Sequence, residues 1–346
     1  MSVQRDVRLL VGGFTAAEAG AGPSGLAVHR VLADGTTEVE SVLALENPSW
    51  AARGAVNDLF YVSHSGMTWL SAVRLLPGGG LELVDRIEIG AVNPAHILFD
   101  AETNAVIASC FTEGVIIRVA LRDDGRFSEI DALWNANGKA DSATRRNSLQ
   151  SRAEPHQAVR VPGGYLVPDR AQDVVWFAGD GGRLEIAAIL RPGSGPRHLA
   201  LHPTLGYAYL VGELDNTLIT LRRDGALLEP LDVVSTLPRD FFEDSAGSAI
   251  DVDAERARVY VSNRGHESVA VFDIERPESP RLLGWIPSLG ATPRYAGLLP
   301  EVDMLAIAAQ DGDVLHLLDA AEAAGLRGGR ITLRHAAPTF VCVVDG

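Results

Sequence analysis

Short apolar runs recur along the whole chain, and each is broken by a turn. Some are continuous and rich in aromatic or β-branched residues, as in Leu59-Phe60-Tyr61-Val62, Tyr207-Ala208-Tyr209-Leu210 and Val259-Tyr260-Val261. Others alternate apolar and polar positions, as in Asn216-Thr217-Leu218-Ile219-Thr220-Leu221 and Ser268-Val269-Ala270-Val271-Phe272-Asp273. Runs this short, with a period of two or none, are strands: the continuous ones are buried on both faces and the alternating ones on one. The only competing helical stretch is Leu317 to Ala324. The pattern predicts an all-β chain.

The turns give the strands their higher order. Seven carry a small residue or proline before a short apolar strand: Asn47-Pro48, Asn93-Pro94, Glu154-Pro155, Gly195-Pro196, Ala246-Gly247, Thr292-Pro293 and Ala337-Pro338. Their second residues are spaced by 46, 61, 41, 51, 46 and 45 positions. A period in the forties with several strands per repeat is the signature of a β-propeller, each repeat making one four-stranded blade. Three strand-like runs precede Pro48 (Arg8 to Phe14, Gly25 to Val31, Thr37 to Leu45), and one, Thr339 to Val344, follows Pro338. Together they make a seventh blade, with the C-terminal strand innermost and beside the first. That closure removes the free sheet edges of an open ring. The expectation is a single seven-bladed propeller domain spanning 1–346.

Composition narrows the function classes. The chain has 346 residues, 47% of them hydrophobic, enough for a large core. A net charge of −15 argues against a nucleic-acid partner, since phosphate backbones attract basic surfaces. Lys139 is the sole lysine, so positive charge is carried by arginine, the better fork for carboxylate or phosphate. No stretch approaches about 18 uncharged apolar residues, and Met1 to Arg8 has no apolar signal core. Cys110 and Cys342 sit in strand-like runs and read as buried free thiols rather than a disulfide framework. A cytoplasmic protein, monomer or homodimer, with no membrane partner is expected.

With strands of a blade lettered a to d from the centre outward, the d–a and b–c connections emerge on one face. The proline turns are d–a loops, and the polar loops after the aromatic runs are b–c loops. Around that mouth they gather His96, His156, Arg197, His198 and Arg294 from the first set. From the second come His64, Asp169, Arg170, Glu213, Asp215, Asn263, Arg264, His266 and Gln310. Several Arg and His together in an acidic protein invert the local sign of charge, which marks a candidate site for an anion. The long interval of 61 holds a polar loop, 135–152, with Lys139, Arg145, Arg146 and Arg152, read as a surface excursion or a lid over the mouth. His29, His316 and His335 read as packed or surface residues, and His202, in a Leu-His-Pro turn, as a turn residue.

Gly195-Pro196-Arg197-His198-Leu199 with His202-Pro203, then Tyr209-Leu210-Val211-Gly212-Glu213-Leu214-Asp215-Asn216-Thr217, resembles the most specific stretch of the seven-bladed lactonase family. Its members include bacterial propeller-type 6-phosphogluconolactonases and fungal 3-carboxy-cis,cis-muconate cyclases. Asn47-Pro48-Ser49, Asn93-Pro94-Ala95-His96-Ile97, Pro155-His156-Gln157, Tyr260-Val261-Ser262-Asn263-Arg264-Gly265 and Thr292-Pro293-Arg294 extend the resemblance over essentially the whole chain. The family's catalytic cluster of a His, two Arg and a Glu then falls on His156, Arg197, Glu213 and Arg264, with Arg294, His96, His64, Asp169 and Asn263 as substrate-binding candidates. Ser63-His64-Ser65 and Cys110-Phe111 depart from the family's more usual Asn-Glu and Asn-Tyr, which implies a different substrate outline.

Motif absences shape the mechanism. There is no His-Glu-x-x-His, no Cys-x-x-Cys, no Gly-x-Ser-x-Gly elbow and no phosphate-loop glycine-lysine motif. The expectation is a metal-free, cofactor-free lactonase acting on a sugar lactone or related anionic lactone, with His156 as general base. Arg197 and Arg264 would bind the anion and the developing oxyanion, and Glu213 would orient His156 or an arginine. The alternatives are a cycloisomerase of a carboxylated muconate, which would use the same residues, and a non-catalytic propeller that binds protein partners.

Overall fold

The computed structural model describes residues 6–15, 22–56, 58–139 and 152–344. Most of the 135–152 loop, including Arg145 and Arg146, lies outside them. The strands form seven four-stranded sheets. In the first blade the order from the centre is Pro338–Val343, Val7–Gly13, Leu26–Val31, Thr37–Leu43, so the C-terminal strand closes the ring as the strand count requires. Leu9 faces Val343 and Val11 faces Val341 across that junction.

The remaining blades follow in chain order, and their innermost strands are Pro48–Arg53, Pro94–Asp100, Val159–Val161, Pro196–Leu201, Ala246–Asp253 and Pro293–Leu299. The one helical stretch that the sequence offers, Leu317 to Ala324, divides: its first three residues end the strand Val314–Asp319, and the other five form the short helix Ala320–Ala324. The Asp319 side chain caps this turn by accepting from Glu322 N at 3.0 Å. No helix among the described residues is long and apolar enough to cross a membrane.

Apolar clusters lie between neighbouring blades. One packs Leu59 and Tyr61 of the second blade on Ile97, Val106 and Ile117 of the third, and another joins Val7, Leu9 and Val11 to Leu315, Leu317, Val341 and Val343. Buried tyrosine hydroxyls call for partners, and two of them tie a blade to a loop: Tyr61 donates to Gly125 O at 2.7 Å and Tyr209 to Pro277 O at 2.9 Å. Cys110 is buried, whereas Cys342, expected to be buried too, is partly exposed; both thiols are free.

Two local features place side chains at the mouth. The residue before the innermost strand takes a left-handed conformation in five blades: Asn47, Asn93, Gly195, Thr292 and Ala337. Asn and Gly suit that region; Thr and Ala are held in it by their surroundings. The turn aims its carbonyl at the amide following strand b. Asn47 O accepts from Ser65 N at 2.9 Å, Asn93 O from Phe111 N at 3.0 Å, and Glu154 O from Arg170 N at 3.1 Å. Gly195 O accepts from Glu213 N at 2.8 Å, Thr292 O from Gln310 N at 2.8 Å, and Ala337 O from Phe14 N at 3.0 Å. A register shift follows at once, between Pro48 and Trp50, Pro94 and His96, Pro196 and Leu199, Gly247 and Ile250, and Pro293 and Tyr295. Such a bulge re-aims side chains, and here consecutive residues of the innermost strand line the central channel in successive tiers.

The closing strand should carry much of the stability. Phe340 is 2% exposed in the cluster joining the first and second blades. Phe340→Ala should cost about 3–5 kcal/mol in urea unfolding. Leu227→Ala, at a side chain 67% exposed on an outermost strand, should cost less than about 0.5 kcal/mol.

Candidate active site

The mouth is built from two equivalent positions repeated around the ring. The residue after each turn supplies Ser49, Ala95, His156, Arg197 and Arg294; the residue following strand b supplies Ser65, Phe111, Arg170 and Glu213, and the last residue of strand b in the sixth blade supplies Arg264. With Asn93 they line a pocket of about 290 Å³. One tier deeper, Trp50, His96, Gln157, His198 and Tyr295 line a second chamber of the channel, about 430 Å³.

Glu213 is the hub. It is 8% exposed. Arg170 Nε donates to its Oε1 at 2.7 Å, Arg197 Nε lies 3.1 Å from Oε2, and Arg264 Nη2 lies 3.4 Å from Oε1. Burial alone would raise the Glu213 carboxyl; Arg197, Arg264 and Arg170 outweigh it and hold it below the ordinary carboxylate value. Arg170 also donates to Glu154 Oε2 at 2.7 Å. Arg197 Nη1 donates to Ser248 O at 2.9 Å, and Arg264 Nη2 to Gly247 O at 3.0 Å. Arg294 lies over the Phe14 ring, 5.1 Å from its centroid. It has no ion pair among the described residues.

The four guanidiniums thus outnumber the two carboxylates they meet. Burial, then Arg264 and Arg294, push Arg197 well below the ordinary arginine value. Burial, then Arg264, bring Arg294 down to about 10. Nε of both Arg197 and Arg264 is buried without a well-aligned hydrogen-bond acceptor. A buried donor left unmade is costly, so this is a site short of negative charge.

The histidines are neutral. Burial and then Arg197 lower His156 well below 6.5, and burial with Arg197 brings His96 down to about 3. His156 packs edge-on against His198 at 5.1 Å and Phe111 at 5.6 Å, and its Nδ1 is buried without a partner. Arg197 Nη1 lies 3.3 Å from His198 Nε2. A guanidinium can only donate, so His198 Nε2 accepts and its proton sits on Nδ1. Glu213 makes no bond to His156; of the two orienting roles expected for it, it takes the one toward arginine.

Among the described residues no group of three or more His, Cys, Asp or Glu side chains is arranged to hold a metal ion. The model of the lactonase seven-bladed β-propeller family matches residues 8–344. The chain belongs to that family. It is 29% identical over 250 residues to a 6-phosphogluconolactonase of Bacillus subtilis, covering 69% of this chain and 70% of that one. The fold matches a periplasmic gluconolactonase of Pseudomonas aeruginosa with a TM-score of 0.85, over 98% of this chain and 99% of that one, at 20% identity. A putative 6-phosphogluconolactonase of Bacteroides fragilis matches with a TM-score of 0.83 over 99% of both chains at 19% identity.

In this member of the family, His156, Arg197, Glu213, Arg264 and Arg294 meet in one pocket. Four other candidates lie elsewhere. His96 sits one tier down, tilted on Trp50 at 4.7 Å. His64, Asp169 and Asn263 each lie opposite a turn residue (Pro48, Pro155 and Gly247), the first two as the last residues of their b strands and Asn263 one before the last, and all are fully buried inside their blades. His64 bonds Glu46 O at 2.6 Å and Ser71 Oγ at 2.9 Å. Asp169 accepts from Glu154 N, Ala171 N, Gln172 N and Trp176 Nε1, and Asn263 is tied to Thr236 through both amide atoms. These three candidates are corrected to anchoring roles: their polar atoms are spent on loops. His202 holds its turn by accepting from Leu205 N at 3.1 Å. Arg170, gathered at the mouth by topology but not among the catalytic or substrate-binding candidates, lines the pocket with Ser65 and Phe111, and each directly follows a b strand as Glu213 does.

The anchoring role is testable. His64→Ala leaves the partners of a buried imidazole unpaired and should cost about 1–3 kcal/mol of stability. Anion binding per folded molecule, read by calorimetry with phosphate, should stay at the wild-type level.

Proposed function

We propose that this protein hydrolyses a lactone carrying an anionic group, with a sugar lactone as the leading class. The observation that carries this reading is the cluster of four arginines, three of them on an over-subscribed Glu213, in one pocket with a neutral imidazole. An anion entering there meets Arg264, whose hold on Glu213 is the longest of the three, and Arg294, which has no carboxylate of its own. The gain is large because the site is already desolvated.

His156 takes the proton of the attacking water. Its lowered pKa keeps it in the base form at neutral pH but makes it a weak base. The substrate's own negative charge offsets the arginines and raises the basicity of His156 when the site is filled. Arg197 and Arg264 face the oxyanion as the ring carbonyl becomes tetrahedral; a single such donor contributes about 3 kcal/mol. The cytoplasm is the proposed compartment, supported by two cysteines that are both free.

Hydrolysis releases acid, so a panel of phosphorylated, carboxylated and neutral lactones in a pH-stat tests the reading directly. Anionic lactones should turn over with the lower KM. Loss of ultraviolet absorbance on a carboxylated muconate without acid release would instead establish the cycloisomerase. Turnover of neither would end the enzymatic reading.

His156→Ala should lower kcat by about 10²–10⁴-fold with KM nearly unchanged. Full turnover in that variant would remove His156 from the mechanism. The pH profile gives an independent check. Burial and the arginines disfavour the imidazolium, so the acid limb of kcat/KM, which reports the free enzyme, should lie below pH 6.5. The limb of kcat, which reports the filled site, should lie at higher pH. Coincident limbs would mean that substrate charge does not reach His156.

A further inference from the structure

Arg170 and Glu154 play no part in the chemistry just described, yet they touch its hub. Arg170 lies between two carboxylates, donating through Nε to Glu213 Oε1 and through Nη1 to Glu154 Oε2, both at 2.7 Å. The Phe111 ring lies 5.8 Å from the guanidinium. The chain of charges Glu154–Arg170–Glu213–Arg197 runs along the mouth from the fourth blade to the fifth. Arg170 and Arg264 compete for the same oxygen of Glu213, at 2.7 and 3.4 Å.

We propose that Glu154 and Arg170 form a positioning clamp on Glu213 that keeps Arg264 available to the substrate's anionic group. The proposal rests on the reading that Glu213 and Arg264 serve an anionic ligand. While Arg170 fills Oε1, Arg264 gains little by closing on Glu213 and keeps donors for a ligand; its Nε is already without an acceptor. With Arg170 displaced, Oε1 is open and Arg264 becomes its nearest cation. The anion site then satisfies itself internally and loses its ligand.

Stability does not account for the pair. Both side chains are 27% exposed, and ion pairs this accessible contribute little to folding. The turn that carries Glu154 is held by main-chain atoms, with Glu154 N donating to Asp169 Oδ1 at 2.9 Å and Glu154 O accepting from Arg170 N at 3.1 Å. The Glu154 carboxylate is therefore free to serve geometry, and its removal leaves the turn in place.

Glu154→Gln and Glu154→Leu separate the clamp from simple charge. Each removes one negative charge beside the mouth, so charge alone would make both bind inorganic phosphate more tightly. The clamp predicts otherwise: Gln still accepts from Arg170 and should behave near wild type, whereas Leu should weaken phosphate binding and lower kcat/KM on an anionic lactone about tenfold. Melting temperatures of both should stay near the wild-type value. Crystal structures of wild type and Glu154→Leu give the direct reading. Arg264 Nη2 should close from 3.4 Å to hydrogen-bond distance of Glu213 in the Leu variant. An unchanged Arg264–Glu213 distance, or equal tightening of phosphate in both variants, overturns the proposal. A wild type that hydrolyses no lactone would end the lactonase reading, while the crystallographic comparison would still decide the clamp.

Discussion

One hydrogen bond sets the geometry on which the mouth depends. In six blades the carbonyl of the turn residue before the innermost strand takes the amide that follows strand b. The contact locks the d–a turn to the b–c turn of the same blade, so two loops distant in sequence present side chains at a fixed separation. In five of them that residue is left-handed, which aims the carbonyl sideways while the chain continues into the channel wall, and Glu154 makes the same bond without it. Asn47, Asn93 and Gly195 accept the conformation readily, whereas Thr292 and Ala337 are carried by their neighbours: Thr292 Oγ1 donates to Asp311 and Ala337 N to Asp313. Repetition of a single local device is what brings Arg170 and Glu213 from two blades onto one rim, and in the sixth blade the strand pairing of Ala246 with Arg264 sets Arg264 beside them.

The electrostatics follow from that placement. In a chain of net charge −15, arginines on the outer surface would meet abundant carboxylates and be neutralised. At the mouth the neighbours are decided by blade position instead, and among the described residues Glu213 and Glu154 are the carboxylates that pair with these arginines. Guanidiniums bury at less cost than ammonium groups because their charge is spread and their donors are many. Even so, Arg197 and Arg294 sit where burial and mutual repulsion work against their charge. Interactions left incomplete in the empty site are available to a ligand, which is how a fold surrenders some stability to gain recognition.

The repeat, the blade count and the closing strand were legible because they rest on turn chemistry and strand length, both local. So was the mouth, because strand direction alternates within a blade. What the sequence left ambiguous was a matter of one residue. The residue opposite the second residue of the turn points into the blade and the next into the mouth, so His64, Asp169 and Asn263 are anchors while Ser65, Arg170 and Arg264 line the pocket. A period of two makes any one-residue error an exchange of faces. The register that resolves it, Pro48 opposite His64 and Gly247 opposite Asn263, is a pairing between strands and is not written in either alone.

The sixth blade shows how that register governs function. Its turn has Gly247 where most blades have proline, and the pairing extends one residue further, to Ala246 opposite Arg264. Arg264 therefore keeps strand geometry where its counterpart Glu213 has entered a turn. Gly247 is also where a side chain would strike Val211 Cγ2 at 2.6 Å and Gly212 O at 2.8 Å, so the fifth and sixth blades are in close contact there. Within the sixth blade Gly247 O lies 3.0 Å from Arg264 Nη2, fixing one end of the guanidinium while its Nε stays without an acceptor. A proline at that position would add bulk against Val211 and remove the Gly247 N–H that now donates to Glu213 O at 3.1 Å. The departure from the repeat thus holds the two catalytic candidates, Glu213 and Arg264, at the distance where they attract each other without pairing off.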